Sequence, residues 1–162
     1  MKKKSILEML TILLFNVMQL FFLFKLVKTA KCTIEKREKT IFKFKSYYNI
    51  LNYWLDFKLM GKTIEDYFIQ NNYKKIAIYG MGELGFHLMD ELQNTEIEVL
   101  YAVDDGLCAH KVRTMIKHNC DDLPEVDAVI VTPIFAYDKI KVQLEKKLSC
   151  SIISLEDVIY SI

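Results

Sequence analysis

The chain has 162 residues, 22 basic and 21 acidic, for a net charge of +1. That length suits one ordinary domain with an appendage, and the balanced charge gives no whole-chain basis for nucleic-acid binding. Four scattered cysteines, Cys32, Cys108, Cys120 and Cys150, form no CxxC pair and no dense disulfide framework, which fits a reducing, cytoplasmic setting.

Residues 6–27, ILEMLTILLFNVMQLFFLFKLV, contain 17 apolar side chains and one charge of each sign near the ends. As a helix this run would measure about 33 Å, enough to cross a hydrocarbon core of about 30 Å. It is longer than the apolar part of a signal peptide and is followed by lysines instead of a small-residue cleavage site. Lys25, Lys28, Lys31, Lys36, Arg37, Lys39, Lys43 and Lys45 outnumber the three lysines before it, so the positive-inside bias keeps the following residues in the cytoplasm. A polar arc of Lys4, Ser5, Glu8, Thr11, Asn16 and Gln19, broken by Ile12 and Phe15, suits two other arrangements. In one the helix lies on the membrane; in the other it pairs with a partner helix, including that of a second copy. The expected divisions are an apolar helix over 1–32, a helical neck over 33–71 and a globular module over 72–162.

Within the neck, residues 33–45 alternate charges with few apolar side chains. Tyr47, Ile50, Leu51, Trp54, Leu55 and Lys58 then fall at helical spacing, with Gly61 as a stop. This aromatic stripe is better read as packing than as a base-stacking surface, with Trp54 the anchor that docks the neck. Thr63 and Asp66 have the spacing of a capping box, opening a short helix that ends near Asn71 and Asn72.

KKIAIY, 74–79, reads as a buried parallel strand. Gly80-Met81-Gly82-Glu83-Leu84-Gly85 follows at once, the spacing with which a strand-to-helix turn seats a pyrophosphate. The first glycine permits the turn, the second admits the phosphate, and the third lets helix and strand approach. The helix expected to run to about Gln93 directs Leu84, Leu88 and Leu92 at the sheet and its amide-rich end at the phosphate. A second strand, IEVLYAVDD, ends at Asp104, 19 residues after Gly85, where an acid meets ribose hydroxyls; Asp105 is the competing choice. No arginine follows immediately, which favours NAD over NADP. Glu83 supports the helix end but repels an anion. The bland alternative keeps the glycines only for the turn and its packing, around an empty pocket.

IAIYGMGELGFHLMDEL, with IEVLYAVDD and LPEVDAVIVTPIF, resembles the small Rossmann-like modules of bacterial surface-polysaccharide gene sets. Related modules form the N-terminal part of sugar O-acyltransferases and the C-terminal part of some sugar methyltransferases. The likeness covers about residues 72–162. It implies a nucleotide or nucleotide-sugar ligand on Gly80, Gly82, Gly85 and Asp104, whereas neither a hexapeptide repeat nor a methyltransferase region accompanies the module. Potassium-transport regulatory domains carry a similar turn with glutamate in it, so Glu83 does not forbid a dinucleotide.

Further along, VRTMIK is expected as a third strand and VDAVIVTP, 126–133, as a fourth, with Thr132 and Pro133 lining the crevice above the sheet. A helix over about Tyr137–Leu148, a fifth strand in CSIISL and a closing helix in EDVIYSI complete one doubly wound, mostly parallel, five-stranded Rossmann-like α/β unit behind an N-terminal helical extension. The expected site is Gly80, Met81, Gly82, Glu83, Leu84, Gly85, Asp104 and Thr132.

Three other patterns suggest chemistry and are outweighed by simpler readings. Tyr137 and Lys141 form YxxxK, but Thr132 lies only five residues upstream of the tyrosine. Cys108, His110, His118 and Cys120 match no known zinc spacing. His87 has no acid–base partner in sequence. The expectation is an auxiliary nucleotide-binding module without catalysis of its own. A small NAD-dependent sugar-modifying enzyme and a structural adaptor that binds nothing are the alternatives.

Overall fold

The computed structural model describes residues 2–104, 114–118 and 122–162. Its contacts divide the chain into two units, residues 1–47 and 48–162. No glycine or proline occurs before Gly61, and helix α1 runs from Lys2 to Leu59. Thr29, Thr33 and Thr40 donate their hydroxyls to the carbonyls of Lys25, Thr29 and Lys36, each at 3.0 Å, so these polar groups are satisfied within the helix itself. Within residues 9–27 the described apolar side chains are exposed. This helix is long and apolar enough to cross a membrane, with a window of mean hydropathy 2.1.

In the second unit α1 ends against Gly61, whose φ of +76° supplies the left-handed stop anticipated from sequence. Thr63 and Asp66 form the expected capping box ahead of α2, Ile64–Gln70. The remaining elements are β1 (Lys75–Tyr79), α3 (Glu83–Leu92), β2 (Glu98–Val103), β3 (Met115–Lys117), β4 (Ala128–Val131), α4 (Tyr137–Leu144), β5 (Ser151–Ser154) and α5 (Leu155–Tyr160). A 3₁₀ turn, Ile134–Ala136, leads into α4.

Among the described residues the five strands form one all-parallel sheet in the order β3-β2-β1-β4-β5, with helices on its faces: the doubly wound, Rossmann-like architecture. The central strands are nearly continuous apolar runs because both faces are covered. Ala77, Tyr101, Val103, Val129, Val131 and Ile152 share one face with Ile140 and Leu144 of α4. By strand alternation Ile76, Ile78, Ala102 and Ile130 point the other way. There α2, α3 and α5 pack with Ile50, Trp54 and Phe57 from the end of α1.

Two side chains pin the sheet from outside the ladder. Asp127 Oδ2 accepts the Lys74 and Lys75 amides at 2.8 and 2.7 Å, joining the starts of β1 and β4 and holding its carboxyl below the usual range. Tyr101, 1% exposed, donates its hydroxyl to Pro124 O at 3.0 Å, and burial pushes its pKa up to about 12.

Several elements are shorter than the sequence pattern suggests. α4 stops at Leu144 where periodicity extended to Leu148; past it the Leu144 carbonyl accepts both the Lys147 amide, three residues on, and the Leu148 amide, four on, a shared bond common at helix termini. β3 is three residues long, and Val112 and Arg113 of its expected run lie outside the described residues.

Candidate functional site: the glycine turn

In this strand order the sheet reverses its direction of winding between β1 and β4, the switch point beyond whose strand ends open α/β sheets as a class bind their ligands. Gly80 leaves β1 and Thr132 leaves β4 at that point.

Gly80 has φ +91° and donates its amide to Val103 O at 2.8 Å. A Cβ there would stand 2.6 Å from Pro133 Cγ and 2.9 Å from Thr132 Oγ1. Both backbone conformation and space therefore demand glycine. A Cβ on Gly85 would lie 2.2 Å from Gly80 O, so the third glycine lets α3 press directly on the strand exit. Gly82 differs from both. Its φ of −75° is open to any residue, and nothing stands within 4 Å of a Cβ built on it.

Gly82 is the N-cap of α3 and has no side chain with which to cap that end. The ladder begins with Phe86 N to Gly82 O at 3.0 Å, so the Glu83, Leu84 and Gly85 amides precede the first intrahelical bond. Met81 and Leu84 turn their side chains into the core, leaving backbone as what they present at the switch point. Glu83, in the first turn, is exposed and adds negative charge beside the amide-rich end.

Asp104 stands at the end of β2, its amide bonded to Lys117 O at 3.1 Å. Its Oδ2 accepts the Met81 amide at 2.7 Å, which ties the second strand to the glycine turn. The acid thus faces the loop, as the sequence offset predicts, and it braces that loop, a role the offset does not reveal. Thr132 donates its hydroxyl to Gly80 O at 2.6 Å and is 4% exposed. The sequence places it as a lining residue; the structure shows its hydroxyl holding the turn.

No family model matches the sequence, and no curated protein or solved structure matches it.

Two of the other chemical patterns resolve into packing. Tyr137 donates its hydroxyl to Ile152 O at 2.8 Å, clasping α4 to β5, and Lys141 Nζ lies 5.6 Å from its ring centroid. His87 lies edge-on to Trp54, with centroids 6.5 Å apart. Asp105, Cys108, His110 and Cys120 lie outside the described residues. Among the described residues no three of His, Cys, Asp and Glu gather as metal ligands.

One cluster escaped sequence reasoning. Glu91 of α3 accepts Trp54 Nε1 at 2.6 Å, Lys58 Nζ at 2.9 Å and the Ile64 amide at 3.1 Å. Trp54, 4% exposed, is indeed the docking side chain, but the acid that receives it is 37 residues away in sequence. A single helical glutamate gave no signal of that role.

Proposed function

We propose that the glycine turn binds the phosphate of a nucleotide or nucleotide-sugar, with Asp104 receiving ribose hydroxyls. The supporting observation is Gly82. The fold accounts for Gly80 and Gly85 by φ and contact, whereas Gly82 is required by neither: it is the N-cap of α3, and among the described residues nothing stands within 4 Å of a Cβ built on it. A ligand approaching the backbone supplies the missing reason for a glycine there. Phosphate oxygens accept first-turn amides of α3, and the Asp104 carboxylate selects a hydroxyl-bearing sugar. NAD or a nucleotide-sugar meets both needs.

In this reading the module is auxiliary and works beside surface-polysaccharide enzymes at a bacterial membrane, as the sequence resemblance implies. The apolar start of α1 holds it there and the lysine-rich stretch after residue 24 keeps it on the cytoplasmic side.

A second reading, an adaptor whose fold binds nothing, draws on a specific observation as well. The Met81 amide and Gly80 carbonyl already have protein partners in Asp104 and Thr132.

Titration of full-length protein in detergent with NAD and with UDP-sugars, read by thermal unfolding, separates the two. A ligand at a hundredfold excess over its Kd stabilises the fold by about 2.7 kcal/mol. Gly82→Val, which meets no atom, costs only about 1 kcal/mol through its poorer N-cap and abolishes the ligand-induced shift. Unchanged melting with every nucleotide defeats the binding reading and leaves the adaptor.

A further inference from the structure

One series of exposed apolar side chains along α1 keeps a seven-residue spacing. Leu13, Leu20, Val27, Ile34 and Ile41 are spaced by seven and each is more than half exposed. Taking these as heptad position a, Leu23 and Phe44 occupy d and are also more than half exposed. A straight helix drifts against a seven-residue count, and a stripe that keeps it is the pattern by which helices supercoil around one another. Between residues 28 and 47 the stripe stands out because its surroundings are strongly charged. Lys36, Lys39 and Lys43 fall at c, f and c, away from it.

We propose that this face pairs with the same face of a second copy, as a parallel, in-register coiled coil. Among the described residues the next longest helix, α3, has ten residues, so no second helix of matching length is available within the described chain. A second α1 matches in length and register. Its anchoring in the same membrane by the same apolar segment fixes the parallel direction.

The polar d positions constrain the register. In a parallel pair Arg37 faces its own copy, and Glu38 of each helix, at the neighbouring position e, supplies the opposite charge that offsets the repulsion. Asn16 is a d residue within the apolar stretch, where an amide pairing across two helices is favourable.

In the second unit the count continues in sequence through Tyr48, Leu51 and Leu55, all exposed. Leu51 and Leu55 line an open, largely apolar groove of about 410 Å³ with His87 and Asp90 of α3. Within the first unit alone, the seven exposed seam residues Leu13, Leu20, Leu23, Val27, Ile34, Ile41 and Phe44 and their copies would together bury on the order of 1,200 Å², the low end for a stable interface. The proposal is independent of nucleotide binding.

Cysteine cross-linking of the full chain in membranes tests it, in a background where exposed Cys32 is replaced by serine. Ile34→Cys and Ile41→Cys should oxidise to disulfide dimers at least tenfold faster than Lys39→Cys on the outer face. In detergent, the parent should sediment as two copies and the double variant Ile34→Glu/Ile41→Glu as one, with unchanged helicity by circular dichroism. Equal rates at the three positions, or a parent that sediments as a single copy, overturn the pairing. So does a single-copy parent whose double variant instead loses binding to anionic vesicles, which would assign the stripe to lipid.

Discussion

Gly80, Gly82 and Gly85 look equivalent in the motif, yet they do three different things. Gly85→Ala drives a methyl group into the Gly80 carbonyl. Backbone cannot yield as a side-chain tip would, so the overpacking cost exceeds the helix propensity that alanine gains. A net loss of about 2 kcal/mol is expected in chemical denaturation. Tyr101 gives a pH-dependent counterpart. Its folded pKa is raised to about 12, so its contribution is fully present below the unfolded value near 10 and is lost as pH rises through the folded value. Tyr101→Phe should lower stability at pH 7 by about 1 kcal/mol, from the hydrogen bond to Pro124 O. It should also flatten the decline between about pH 10 and 12; a variant with the parent's alkaline profile would contradict this assignment. At this scale, sequence spacing located the turn and the acid because strand, glycines and helix are contiguous. It could not reveal that Thr132 donates to Gly80 or that Asp104 braces Met81, since those pairs meet only when the sheet assembles.

Elements were readable wherever a local signal was unambiguous. The Gly61 stop, the Thr63–Asp66 box and the leucines of α3 all behave as their spacing predicts, because each depends on neighbours within a turn or two of helix. Contacts between elements have no such signature, and the Trp54–Glu91 pair is the main instance. Removing Glu91 leaves the buried Trp54 N–H without an acceptor and releases the Ile64 amide and Lys58. Glu91→Ala should therefore cost about 2 to 3 kcal/mol and shift tryptophan emission to the red, a clean readout because Trp54 is the only tryptophan. Unaltered emission would mean that packing alone holds the end of α1. The YxxxK pair makes the same point in reverse: both residues sit at their expected positions on α4, but the Tyr137 hydroxyl is committed to Ile152 O.

For the molecule as a whole, the apolar start of α1 is the feature with the largest consequence. A spanning helix should stay with membranes after alkaline carbonate extraction, whereas one adsorbed through charge should be released. Replacing Leu13, Leu20 and Leu23 with glutamate should send the protein to the soluble fraction, because each central charge costs about 2.5 to 3.5 kcal/mol on the insertion scale. Recovery of the parent in the carbonate-soluble fraction would argue against spanning. Composition and periodicity by themselves determined an α/β sheet behind an apolar helix and put a glycine turn after its first strand, because hydrophobic spacing and glycine conformation act over a few residues. Tertiary structure alone decided which glycine the fold can spare, what Asp104 and Thr132 hold, and which acid receives Trp54. Those outcomes depend on atoms brought within 3 Å by strands and helices that are distant in the chain, and no local pattern encodes that proximity.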